Sequence, residues 1–263
     1  MIFSSLSERM LSYQNQNNSK LLNQLPVIIL CEGRNFKRLC KKLSQPYCED
    51  LNQILAMAMF DAIKEMPGAV FGYQYSDKII IVLENDQNSV PWLNNDRDEI
   101  ISTTASLITN KKEKGLAFAQ EELELTGDAV FRCKTFVLPK ISEAVNYLIW
   151  QQNLAYKTAI DKSVKLFLNE KLGRTMAFSL KKKKKTSEKE AMLHKHCAFS
   201  VLDKFPKSFL YGTAVYKIPS LVDSDKGVIQ KNKWKFNNSL SMFAEDKVFV
   251  SNILRNGHDI FRA

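Results

Sequence analysis

Residues 69–84 read AVFGYQY-SD-KIIIVLE: two apolar runs separated by two polar residues. Each run is short and rich in β-branched and aromatic residues, and Ser76-Asp77 leaves room only for a tight turn. The stretch is therefore an antiparallel hairpin. PVIILC (26–31) is a further strand, short, unbroken and buried in character. AVFRCKTFVLP (129–139) is a fourth, ended by Pro139. Two helical segments separate them. From Glu49 to Met66, apolar residues recur at Leu51, Ile54, Leu55, Ala58, Met59, Ala62 and Ile63, the spacing of one helical face. Pro67-Gly68 stops that helix. Residues 96–110 (DRDEIISTTASLITN) are helical in pattern despite many β-branched residues.

The order strand, helix, strand, strand, helix, strand is the split β-α-β, ferredoxin-like arrangement of an α/β (α+β) protein. In it the first two strands run parallel, with the third between them and antiparallel to both. The end of strand one then lies beside the hairpin turn, so Glu32 and Asp77, distant in sequence, become neighbours. The rest of the chain differs. Residues 1–25 form a polar N-terminal arm, with SLSERMLSYQ helical in character and NQNNSK loop-like. Residues 26–140 hold the sheet. Residues 141–263 are mostly helical: a long helix over 141–172, the block Lys181, Lys182, Lys183, Lys184 and Lys185, and a helix over 186–197. FLYGTAVYKIP (209–219) reads as one more strand with a glycine break.

Two carboxylates at a sheet edge repel unless a cation lies between them. Such oxygen ligands suit Mg²⁺, which keeps several waters and shares substrate phosphates, and a pair of ions would serve a phosphoryl transfer. The amides of 33–37 can cradle a triphosphate, with Lys37, Arg38, Lys41 and Lys42 adding charge. The residues alone leave an alternative open: Glu32 as a solvated loop residue and Asp77 as a plain turn former. The net charge of +10 suits a polyanionic partner such as nucleic acid. The five cysteines form no Cys-x-x-Cys pair, which argues against a disulfide framework or zinc ribbon. MIFSSLSERM turns polar too early for a signal peptide, and no apolar run approaches membrane-spanning length. The expectation is a soluble, cytoplasmic protein with no membrane partner.

Several stretches resemble, in order, the tRNA-His guanylyltransferase-like family of 3′-to-5′ polymerases, nearest its bacterial and phage-type branch. SERMLSY (7–13) is similar to its Asp-Arg-Met-Lys-x-Tyr stretch, EGRNFK (32–37) to its Asp-Gly-Arg/Lys-x-Phe-His, and YSDK (75–78) to its Gln-Ser-Asp-Glu. STTASLIT (102–109), Leu138-Pro139, EAVNYLIWQQ (143–152) and FPKSFLYGTAVY (205–216) continue the likeness. The resemblance implies a polymerase-palm domain binding two Mg²⁺ ions. Glu32, the Gly33 carbonyl and Asp77 would be the metal ligands, with Glu32 and Asp77 the catalytic pair. Gly33, Arg34, Asn35, Phe36, Lys37 and Ser76 would bind GTP, ATP or another nucleoside triphosphate. The reaction implied is addition of a nucleotide, commonly G, to the 5′ end of tRNA or a tRNA-like RNA. Lys157 and Lys181 to Lys185 would hold the RNA, and relatives often form tetramers.

Departures cluster near the chemistry. Glu32 stands for Asp, Lys37 for His, and Lys78 for an acid; along the tryptophan helix Gln151 stands for Arg and Leu154 for an acid. Tyr147, Leu148 and Trp150 fall at core spacing. These departures define the alternative: a family member that binds RNA or nucleotide without transfer.

Overall fold

The computed structural model describes residues 5–14, 19–85, 90–118, 128–224 and 227–255. The loop expected over 15–20 lies largely outside them. Helix α1 (Leu6–Gln14) buries none of its residues. Then come β1 (Val27–Arg34), the short α2 (Phe36–Leu39), α3 (Glu49–Lys64), the hairpin β2 (Ala69–Tyr75) and β3 (Lys78–Leu83), α4 (Arg97–Phe118) and β4 (Val130–Val137). The sheet order β4-β1-β3-β2 is the one read from the sequence, with β1 and β2 each antiparallel to the β3 between them.

β1 is central, and Val27, Ile28 and Ile29 are wholly buried. Both of its faces are covered, which is why it reads as a continuous apolar run rather than an alternating one. Val27, Ile29 and Cys31 face a core shared with α3 and α4. Ile28 and Leu30 face a second core, shared with α5 (Ile141–Leu172) and, near the C-terminus, α10 (Lys247–Arg255). Each such fully buried isoleucine contributes about 1.5–3 kcal/mol of transfer free energy.

α5 spans about 48 Å at 1.5 Å per residue. Its first half covers the sheet. Its second half joins a third core with α6 (Arg174–Lys181), α7 (Thr186–Cys197), α8 (Val201–Lys204) and α9 (Lys207–Tyr211). The strand expected over 209–219 is corrected here. Phe209 to Tyr211 close α9, and the strand begins only after Gly212, whose φ of +78° turns the chain. A Cβ on Gly212 would lie 2.6 Å from the Gln74 carbonyl oxygen, so the close approach itself demands glycine.

β5 (Thr213–Ser224) then pairs with β2, and β6 (Gly227–Asn237) pairs with β5, extending the sheet to six strands. β6 was not expected from the sequence. β1 also runs three residues further than expected, so Glu32, Gly33 and Arg34 lie within the strand rather than beyond its tip. Trp150 is corrected as well: 54% of it is exposed, while Leu148 is fully buried. Among the described residues no helix is long and apolar enough to cross a membrane.

Candidate active site

The ladder fixes the site. Glu32 on β1 stands opposite Lys78 on β3 and Arg132 on β4. Strand alternation puts Glu32 on the face of Ile28 and Leu30, and Gly33 on that of Cys31. The Gly33 amide donates to the Asp77 carbonyl at 2.8 Å, which joins the end of β1 to the hairpin turn. A Cβ on Gly33 would meet the Phe36 ring at 2.3 Å and the Asp77 Cβ at 2.9 Å, so Phe36 and Asp77 close over the bare strand. Glu32 leaves the strand on the other face. The expected neighbourhood of Glu32 and Asp77 is present, with each on its own side of β1.

Glu32 is held by cations. Its Oε1 lies 3.3 Å from Lys78 Nζ; its Oε2 lies 3.0 Å from Arg132 and 3.8 Å from Lys134. Burial, the largest single influence, would raise its pKa. The Lys78 and Arg132 hydrogen bonds and the Lys134 charge together outweigh it and hold the carboxyl below its ordinary value. A lowered folded pKa means stabilisation that is complete above the ordinary glutamate value of 4.5 and is lost as pH falls through the folded value. We expect the stability gap between wild type and Glu32→Gln, measured by urea unfolding, to be open at neutral pH and to close as the pH falls below the ordinary glutamate value. A gap independent of pH would remove the charge from the account.

Asp77 opens into a cavity of about 850 Å³ between the segment after β1, the start of α3, the hairpin turn and α5. Of the residues singled out from the sequence, Phe36, Lys37, Lys41, Ser76 and Asp77 line it; Glu32, Gly33, Arg34, Asn35, Arg38, Lys42, Lys157 and the lysine block are not among its lining residues. Arg34 and Asn35 are exposed, and Asn35 takes a left-handed φ of 66° that turns the chain into α2. Phe36 is 6% exposed and packs on Phe131, ring centroids 5.2 Å apart. Lys157 is exposed on α5. Lys181 ends α6, and Lys182 to Lys185 form the exposed link to α7, where Lys184 pairs with Glu188 at 2.8 Å.

The sequence reading missed the opposite wall. Thr158, Lys162, Lys165 and Asn169 line the cavity from α5. Their spacing of four, three and four residues marks one helical face, and that polar stripe was the available signal. Lys162 Nζ donates to Ser76 Oγ at 2.8 Å. Its side chain is exposed into the cavity; the protein packed around it still pushes its ammonium down from the ordinary lysine value, an effect partly offset by Asp77 and Cys40. At another edge Tyr47 shares a 3.1 Å hydrogen bond with Ser208 and packs on Phe209. Gln151 and Gln152 are structural: Gln151 accepts from the Tyr75 hydroxyl at 2.9 Å, and Gln152 accepts from the Phe243 amide at 2.6 Å.

Among the described residues no cluster of three or more His, Cys, Asp or Glu could hold a metal ion. A divalent ion here must therefore complete its shell with backbone, water and substrate oxygens. The Asp77 carboxylate with the adjoining Gly33 backbone fits one Mg²⁺ on those terms, because Mg²⁺ is commonly held through one or two carboxylates plus phosphates. A second ion at Glu32 would have to displace Lys78 or Arg132.

Residues 7–139, just over half of the chain, match the family model described as tRNAHis guanylyltransferase (Thg1). No curated protein matches. A solved structure of a bacterial tRNA(His) guanylyltransferase (Thg1)-like protein in complex with ATP is similar with a TM-score of 0.79 at 21% identity, over 95% of this chain and 99% of that one. Its counterpart in complex with GTP gives 0.72 at 21% identity over the same shares. The tRNA(His) guanylyltransferase of Saccharomyces cerevisiae gives 0.68 at 18% identity, over 84% of this chain and 95% of that one. At these identities the structural likeness speaks for the fold.

Proposed function

From the premise that the chain belongs to the tRNAHis guanylyltransferase family, we propose that it adds a nucleotide, G from GTP, to the 5′ end of tRNA or a tRNA-like RNA. The observation that carries this reading is the placing of Asp77 and Ser76 at the mouth of a cavity walled by lysines. The complexes of the bacterial relatives with ATP and GTP support a nucleoside triphosphate as the occupant. Lys37 and Lys162 bring positive charge to the phosphates, and Ser76 offers a hydroxyl beside them. The hydrogen bond between the Gly33 amide and the Asp77 carbonyl fixes the turn that presents Asp77 to the cavity. Asp77 and the Gly33 carbonyl would hold Mg²⁺, which when bound polarises phosphoryl oxygens as a Lewis acid. The new bond joins the 3′-hydroxyl of the incoming nucleotide to the activated 5′ phosphate of the RNA, and the activating group leaves.

The test is incubation with 5′-triphosphorylated tRNA, Mg²⁺ and labelled GTP, reading one-nucleotide extension on a gel. The triphosphate supplies an already activated end, which matters because Gln151 and Leu154 depart from the family pattern and Gln151 is engaged by the Tyr75 hydroxyl. Extension supports the proposal. RNA retained without extension supports the second reading, binding without transfer, which the engagement of Glu32 by three cations favours.

Lys157 and the 181–185 block are proposed to meet RNA phosphates. Replacing Lys181 to Lys185 with Ser should weaken RNA binding and flatten its salt dependence, because each lost phosphate contact lowers the slope of log K against log salt by roughly 0.7–0.9. Serine suits the Lys185 position, which is the N-cap of α7, so the helix should persist. An unchanged salt slope would make the block a bystander.

A further inference from the structure

The cavity carries five cationic side chains, Lys37, Lys41, Lys162, Lys165 and Arg174, against two carboxylates, Asp77 and Glu170. Lys162 is the one tied to the hairpin turn. Its hydrogen-bond partner there is the neutral hydroxyl of Ser76, at 2.8 Å. A hydroxyl carries no charge, so the ammonium gains by exchanging that partner for an anionic phosphate oxygen, which makes a charge-assisted hydrogen bond. The Lys162 side chain is exposed, so an entering phosphate can reach it. On the other face of β1, Lys78, Arg132 and Lys134 already surround Glu32. Protein cations thus stand beside both acidic positions where divalent ions would otherwise be required to quench charge.

We propose that Lys162 grips the triphosphate of the bound nucleotide directly, so that nucleotide binding at this cavity does not depend on a divalent cation. The inference rests on the nucleotide reading above and adds a separation to it. Binding is served by the chain's own ammonium groups, whereas a divalent ion at Asp77 is needed only for transfer. Lys162 can leave Ser76 and donate to a non-bridging phosphate oxygen with little movement, because both residues line the cavity and already meet at 2.8 Å.

The experiment is a titration of the purified full chain with methylanthraniloyl-labelled GTP, followed by fluorescence, in EDTA and in excess Mg²⁺. Wild type should bind in EDTA with a Kd within about threefold of its value in Mg²⁺. Lys162→Met should raise the Kd in EDTA by about tenfold or more, the scale of one hydrogen bond to a charged group. Lys162→Arg, which keeps the charge, should recover most of the loss; a purely structural role would not discriminate charge in this way. Binding by wild type only in Mg²⁺ would overturn the inference and leave the nucleotide reading intact. So would a folded Lys162→Met that binds like wild type in EDTA. No binding in either buffer would overturn both.

Discussion

Asp77→Ala abolishes nucleotide transfer and leaves the fold standing. The expectation follows from how Asp77 divides its roles. Its structural contact, the carbonyl that accepts from the Gly33 amide, belongs to the backbone and survives the substitution. Asp77 is not among the residues with positive φ, so alanine fits the turn without strain. Asp77 lines the cavity, next to Ser76 in the turn, and its charge acts on Lys162 of α5. Removing it takes away the carboxylate proposed to hold the ion that serves transfer. Losing the several kcal/mol such an ion supplies to charge stabilisation corresponds to a fall of about a thousandfold or more in rate. The measurement is one-nucleotide extension of 5′-triphosphorylated tRNA, paired with urea unfolding, in which the variant should stay within about 0.5 kcal/mol of wild type. Turnover near the wild-type rate in the variant would remove Asp77, and the palm mechanism with it.

The meeting of β1 with the hairpin was legible because it depends on run lengths and one two-residue turn. VIIL, AVFGYQY and KIIIVL are short and apolar, and Ser76-Asp77 permits a single way back. The sheet's extension was hidden by chemistry that disguises strands. β6 carries Lys233 and Lys235 and lies at the edge of the sheet, where lysine blocks further pairing and breaks the apolar alternation. The true start of β5 was masked by Gly212, which ends a short helix rather than interrupting a strand. Around Glu32, the sequence showed the neighbouring Lys78 but not Arg132 or Lys134. Those two reach Glu32 only through the β1–β4 register, which pairs Glu32 with Arg132, and no local pattern specifies that register. Lys162 was missed for a different reason. The α5 segment was read for its apolar spacing, while the residues that line the cavity are the polar ones recurring on another face.

Lys78→Glu turns the thermal stability of the chain into a function of Mg²⁺. In wild type the register places Lys78 directly opposite Glu32, and the pair closes to 3.3 Å. The substitution replaces that attraction with two carboxylates at a directly opposed cross-strand position, where like charges destabilise a sheet. Arg132 and Lys134 remain on Glu32, so the loss should be about 1–3 kcal/mol rather than complete unfolding. For a chain of this length about 1 kcal/mol moves the Tm by about 2–4 °C, so the drop is measurable. The new carboxylate also changes the oxygen set. Glu32 and the introduced glutamate would lie beside the Gly33–Asp77 turn, and the Lys78 charge that opposed a cation there is gone. A divalent ion that binds the folded state alone raises stability with its concentration. The variant's Tm should therefore climb on adding Mg²⁺ without nucleotide, while the wild-type Tm, with Glu32 already compensated, stays flat. Equal insensitivity in both proteins would mean that Glu32 cannot serve a cation even when its lysine is removed. In that case its role would be to bind β1, β3 and β4 together through its ion pairs, and Asp77 alone would carry the acid chemistry of the site.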